Sequence, residues 1–139
     1  MENDEINLYD CDGYRPLHHA VLANDFDRAT ILVSQGALVN AQTESGDGIL
    51  VLLCRALRDE EAAVWVKPLL NWGAEIIDRD RKNWTALHHC AARGLLKTAS
   101  LLMREGADPF FKNSDGKRPL DLVTDNVDQW SEILTTARR

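Results

Sequence analysis

The chain has 139 residues, 45% of them hydrophobic and 27% charged, which suits one globular domain with a core and argues against disorder. Its net charge of −6 disfavours general binding to nucleic acid, where a basic surface supplies most of the affinity; the acids concentrate in residues 1–64, with 12 acids against 4 bases, while residues 65–139 hold 10 acids and 12 bases. Cys11, Cys54 and Cys90 stand far apart with no Cys-x-x-Cys spacing, which fits a reducing compartment, and no long apolar run or N-terminal apolar segment points to membrane insertion or secretion.

In chain order, the first elements fall in "RPLHHAVLANDFDRATILVSQGAL". Pro16 suits the opening turn of a helix, where a missing amide donor costs little, and Leu17, Ala20 and Val21 then share one face until the helix ends near Asn24. A second helix follows, with Phe26, Ala29, Ile31, Leu32 and Val33 on an apolar stripe before Gly36, a residue suited to a left-handed C-cap. The polar stretch "LVNAQTESGDG" then reads as a projecting hairpin. "GILVLLCRAL" is a long first helix for the next unit, and "RDEE" is expected to lengthen the bend after it. In "AVWVKPLL", Trp65 is expected to fill the core between helices, and Pro68 to kink its helix, since an interior proline removes a hydrogen bond at ~3 kcal/mol. The hairpin "EIIDRDRKNW" leads into "TALHHCAARGLLKTASLLMREGAD", again two helical patterns. After "PFFKNSDGKR" comes a last pair, in which Trp130, Ile133 and Leu134 lie at helical spacing and cover the end of the core.

Two residue series set the period. Leu17, Leu50, Leu87 and Leu120 are separated by 33, 37 and 33 residues; Gly36, Gly73 and Gly106, each followed by Ala, by 37 and 33. The unit is therefore about 33 residues with four extra in its second copy. Its pattern, "DCDGYRPLHHAV…ILVSQGALVNA" in the first copy and "DRKNWTALHHCA…LLMREGADPF" in the third, resembles the ankyrin repeat over nearly all of residues 9–137. The resemblance implies an all-α repeat solenoid: a single domain over 1–139, with repeats at about 9–42, 43–79, 80–112 and 113–137, each a helix-turn-helix with a projecting β-hairpin loop. The fourth copy departs, with Asp121 in the His position and no Gly-Ala ending, and looks like a C-terminal cap.

The same resemblance gives roles to conspicuous residues. His18 and His88 hold the Pro-Leu-His position, where the imidazole ties the turn to neighbouring backbone. His19 and His89 follow at a position that begins to face the concave surface. Layers packed at ~10 Å put the two His-His pairs ~20 Å apart, so they cannot share a metal, and adjacent helical histidines lack the i, i+4 spacing of a helical zinc site. Cys90 takes a small, packed position where a thiol is inert, and no serine lies in Gly-x-Ser-x-Gly. Neither catalysis, a metal nor a cofactor is expected. Asn40 keeps the Val-Asn-Ala position at which ankyrin asparagines can be hydroxylated; Ile77 and Phe110 replace it elsewhere.

The function that the resemblance implies is non-catalytic recognition of a protein or peptide partner through the concave groove and hairpin tips. Trp84, with counterparts Tyr14, Asp47 and Lys117, stands at the hairpin where partner contacts vary. Around it the finger is charged, with Arg79, Asp80, Arg81 and Lys82, and Arg93 and His89 are expected on the inner face; Asp12, Glu44 and Asp47 are expected to project from the first two fingers, giving a groove acidic at one end and basic at the other. Trp72, in place of Gln35 and Glu105, is expected to be at least half exposed and is a second candidate contact. Rival readings are a histone-tail reader, a kinase-docking inhibitor and a receptor for a small anionic ligand held by Arg81, Lys82 and Arg93. The chain is expected to be a monomer, or a module of a larger protein, in the cytoplasm or nucleus.

Overall fold

The structure, a computed structural model, describes residues 13–136, with side chains as far as Leu134; Cys11 and Asp12 lie outside the described residues. Among the described residues, seven α-helices and one 3-10 turn follow in pairs: α1 Pro16–Leu22, α2 Phe26–Ser34, α3 Ile49–Ala56, α4 Asp59–Asn71, α5 Ala86–Arg93, α6 Leu96–Arg104, the 3-10 turn Pro119–Leu122 and α7 Val127–Thr136. The first members pack side by side, α1 on α3, α3 on α5 and α5 on the 3-10 turn, while α4 packs on α6 and α6 on α7. This two-row stack is a repeat solenoid, in which each unit buries its apolar face on its neighbours. Leu17, Leu50, Leu53, Leu69, Leu87, Leu102 and Leu134 fill one continuous core between the rows.

Local sequence explains where helices start and stop. Pro16 and Pro119 occupy first-turn positions, and Asp25 caps α2 by accepting from the Arg28 amide at 3.1 Å. The second helices end on Gly36, Gly73 and Gly106, at φ of 102°, 106° and 100°, a left-handed region that a side chain would strain. Between units the chain turns tightly: the amides of Thr43, Asp80 and Asn113 donate to the carbonyls of Asp47, Trp84 and Lys117 at 2.9, 3.0 and 2.9 Å. These fingers are closed turns. Among the described residues they form no strand, only an isolated antiparallel bridge between Arg79 and Thr85.

Several expectations are corrected. The four extra residues do not lengthen the bend after α3: Asp59, Glu60 and Glu61 are the first turn of α4, which reaches 13 residues against nine in α2 and α6. Acids are favourable there because a helix N-terminus carries partial positive charge. Pro68 does lie inside a helix, α4, which continues through it to Asn71; Val64, whose carbonyl loses its amide partner, lies on the exposed face where water can replace it. On α2, only Ala29 and Leu32 are buried, while Phe26 and Ile31 are 48% and 54% exposed, so the apolar stripe is narrower than its composition suggests.

Trp65 fills the core as expected, and its indole N–H donates to Asn24 Oδ1 at 2.9 Å, so its polar edge is satisfied from the neighbouring unit. Trp130 is likewise buried at the C-terminal end.

Candidate functional site

The His-His pairs separate into two roles. His18 Nδ1 accepts from the Arg15 amide at 3.1 Å while Nε2–H donates to the Ala41 carbonyl at 3.1 Å; His88 repeats this with the Thr85 amide at 3.0 Å and the Lys117 carbonyl at 2.9 Å. Each ring thus ties its helix start to the following finger, and burial holds both imidazoles below their usual pKa, keeping them neutral enough to donate and accept at once. Asp121 preserves half of the device, accepting from the Arg118 amide at 2.9 Å, but its carboxylate has no N–H to donate to a further carbonyl. Asn40 makes another bridge between units: its side-chain amide donates to the Gly73 carbonyl at 2.7 Å and its oxygen accepts from the Glu75 amide at 2.9 Å.

The second histidines meet aromatic residues. Tyr14 stands edge-on to His19, with ring centroids 5.4 Å apart, and Trp84 tilts over His89 at 4.9 Å. Trp84 therefore covers the histidines of its own unit, and only part of its indole faces outward.

His89 is held from the finger side. Its Nε2–H donates to Asp80 Oδ2 at 3.2 Å, and Asp80 Oδ1 accepts from the amides of Lys82 and Trp84 at 3.0 and 2.9 Å. One carboxylate thus folds the finger and fixes the ring beneath the indole. His89 is largely buried, and burial outweighs Asp80 in setting its pKa, which lies below the usual imidazole value.

Between the 43–47 and 80–84 fingers this arrangement leaves a cleft of about 350 Å³. Asp80, Arg81, Lys82, Trp84 and His89 line one side, Ser45, Asp47 and Arg55 the other. The structure thus brings together Asp47, Arg81, Lys82, Trp84 and His89 from the sequence-derived set. Asp47 does not project from its finger: it is buried and accepts from Arg55 Nη2 at 2.5 Å. Glu44 leans back toward the first finger, its carboxylate lying beside Gly13, while its carbonyl accepts from Arg81 Nη2 at 3.2 Å.

Four candidates lie elsewhere. Tyr14 belongs to a separate hollow at the first unit with Ala23 and Arg28. The Arg79 guanidinium sits 5.3 Å from the centre of the Phe111 ring. Arg93 is committed to structure, because Nη1 donates to the carbonyls of Cys54 and Leu57 at 2.8 and 2.6 Å, capping the C-terminus of α3 from the next unit. Trp72 is less than half exposed, contrary to expectation, since it stacks on Phe26 with centroids 5.8 Å apart.

Sequence reasoning did not select Arg55 or Ser45, and it placed Asp80 in the charged finger without giving it a role. For Asp80 a signal exists: Asp-Arg-Lys-Asn can form an Asx turn, in which the carboxylate accepts from the amide two residues on. Arg55 had none, as it only follows the buried run of α3.

The described residues offer little for other chemistry. No group of three or more His, Cys, Asp or Glu among them could hold a metal ion. Cys90 is fully buried with Sγ 3.6 Å from Cys54 Sγ, and burial pushes its thiol well above the usual range, away from the reactive thiolate. No helix of the described residues is long and apolar enough to cross a membrane.

Comparison with known proteins gives a consistent result. The family model described as "Ankyrin repeat" matches residues 12–44 and 82–114. Over 118 residues the chain is 33% identical to ankyrin repeat and SOCS box protein 16 of Mus musculus, covering 81% of this chain and 26% of that protein. It is 31% identical over 122 residues to the nuclear factor NF-kappa-B p105 subunit of Gallus gallus, covering 88% and 12%, and 37% identical over 69 residues to protein phosphatase 1 regulatory subunit 27 of Homo sapiens, covering 50% and 45%. The chain thus spans less than half the length of each of these relatives. Among solved structures, the ankyrin repeat domain of Bcl-3, a member of the IkappaB protein family, superposes with a TM-score of 0.79 at 27% identity, covering 91% of this chain and 55% of that one.

Proposed function

The chain belongs to the ankyrin-repeat family, and on that premise we propose that it recognises a protein partner through the cleft between its second and third fingers. Ankyrin repeats are generally non-catalytic modules of protein–protein interaction, so the coarse function follows from the family, while the partner must be argued from the site.

The observation that carries this reading is the placement of Trp84. Its ring is supported from below by His89, which Asp80 fixes in turn, so the indole is presented as a rigid surface with little freedom to lose on binding. A partly exposed tryptophan on a rigid support, beside the exposed cations Arg81 and Lys82, has the make-up of an interface hot spot. The four units act together as one recognition module, alone or within a longer protein, in the cytoplasm or nucleus.

A pull-down with the wild-type chain against a Trp84→Ala/Arg81→Glu double variant, read by quantitative mass spectrometry, tests this. A protein captured by the wild type and lost from the folded variant supports the reading. Equal capture by both moves the recognition surface off this cleft.

A further inference from the structure

The cleft is lined by both signs of charge, but they are not equally available to a ligand. Asp47 is 5% exposed in its side chain and accepts from Arg55, whereas Arg55 is 41% exposed. Asp80 is 13% exposed, with one oxygen on two backbone amides and the other on His89. Both acids are therefore turned inward and already satisfied. Arg81 and Lys82 are exposed, and neither has a carboxylate partner among the described residues; the one side-chain bond of Arg81 goes to a backbone carbonyl and leaves most of its donors unused. Glu44, the exposed acid on the facing finger, has its carboxylate beside Gly13 of the first finger.

What a ligand meets at this mouth is thus two cations with no carboxylate partner among the described residues, a third that is ion-paired to Asp47 yet 41% exposed, and an indole. We propose that the cleft takes an acidic side chain of an extended peptide, its carboxylate between Arg81 and Lys82 and its aliphatic stem against Trp84. This rests on the recognition role proposed above and names the chemistry of the partner. Guanidinium and carboxylate match as a two-pronged pair, and the indole face accepts the methylene stem that leads to the carboxylate. A lysine-bearing segment, such as a histone tail, fits poorly here. Its ammonium would approach Arg81 and Lys82 and would find Asp47 and Asp80 committed to internal partners.

The test is an amide and indole NMR titration of the 15.6 kDa chain with four probes: a blocked peptide alternating glutamate and leucine, its glutamine isostere, its lysine counterpart, and sodium acetate. The acidic peptide should shift the Trp84 indole N–H and the Arg81 and Lys82 amides saturably, and should bind at least about tenfold more tightly than the isostere. In an Arg81→Glu/Lys82→Glu variant, checked for folding by circular dichroism, that preference should vanish or reverse. Equal binding of the isostere, or tighter binding of the lysine peptide at the same resonances, would overturn the acidic assignment and leave the recognition cleft standing. Acetate alone reproducing the whole response at equal concentration would make this a simple anion site and overturn the peptide. No perturbation at Trp84 by any peptide would overturn both this inference and the recognition role.

Discussion

Asp59, in the first turn of α4, caps the start of α6 in the following unit through Thr98. Its Oδ1 accepts from the Thr98 amide at 2.9 Å and the Thr98 hydroxyl at 2.8 Å, and Oδ2 accepts from the Lys97 amide at 2.9 Å. The position before α6 is Leu95, which has no side-chain oxygen to offer. A residue of the four-residue extension thus supplies from one unit the cap that the next unit lacks, and the longer α4 is a joint between units.

Replacing Asp59 with Ala should therefore destabilise the chain by about 1–2 kcal/mol, the range for a lost helix cap. Thr98→Val should cost less on its own, and the double variant should fall short of the sum, because both remove the same contacts. Urea denaturation of the four proteins checks this. Additive losses would mean that the two residues act independently.

Much of the fold could be read from sequence because it repeats. Gly36, Gly73 and Gly106 mark the period, and His18 and His88 fulfil the role their position implies. What escaped were polar residues whose partners sit on another element, in the same unit or a neighbouring one. Asp59 finds Thr98 39 positions away, Arg93 finds the end of α3, and Asp47 finds Arg55; nothing periodic in the sequence announces such pairs. The site was half legible for the same reason: Trp84, Arg81 and Lys82 stand out by type and place, whereas burial of Asp47 depends on a partner that only the folded chain brings close.

Stability should depend on pH through the buried histidines. His18, His88 and His89 are held below the usual value of 6.5, with burial the largest cause in each case. Between those lowered values and 6.5 the unfolded chain binds more protons than the folded one, so unfolding free energy is fully present above 6.5 and declines as pH falls through that window. Asp78, whose carboxyl is pushed up chiefly by burial, acts in the opposite sense nearer the carboxylate range. Urea midpoints measured on either side of pH 6.5 should show the decline, and His88→Gln should flatten it. An unchanged slope in that variant would remove His88 from the account.

Gly48 should resist substitution for a steric reason alone. Its φ of −76° suits any residue, but the Asp78 carboxylate of the following finger packs where a Cβ would stand. Gly48→Ala should cost about 1 kcal/mol, the low end for an overpacked contact, and Asp78→Ala should recover most of it in the double variant. Failure of the second change to rescue the first would place the obstruction elsewhere.

Arg81 and Trp84 should affect binding differently. Arg81→Glu should slow association and weaken its dependence on salt, since an exposed charge steers the encounter more than it holds the complex. Stopped-flow association with the captured partner at two salt concentrations separates the two, and an effect confined to dissociation would contradict a steering role.

The most direct measurement is calorimetric titration of the captured partner into wild-type and Trp84→Ala protein, with thermal melting of both in parallel. The indole packs on His89 at the finger, outside the buried core, so the variant should melt near the wild type while affinity falls by ~2 kcal/mol or more. Unchanged affinity in a folded Trp84→Ala chain would contradict recognition through this cleft.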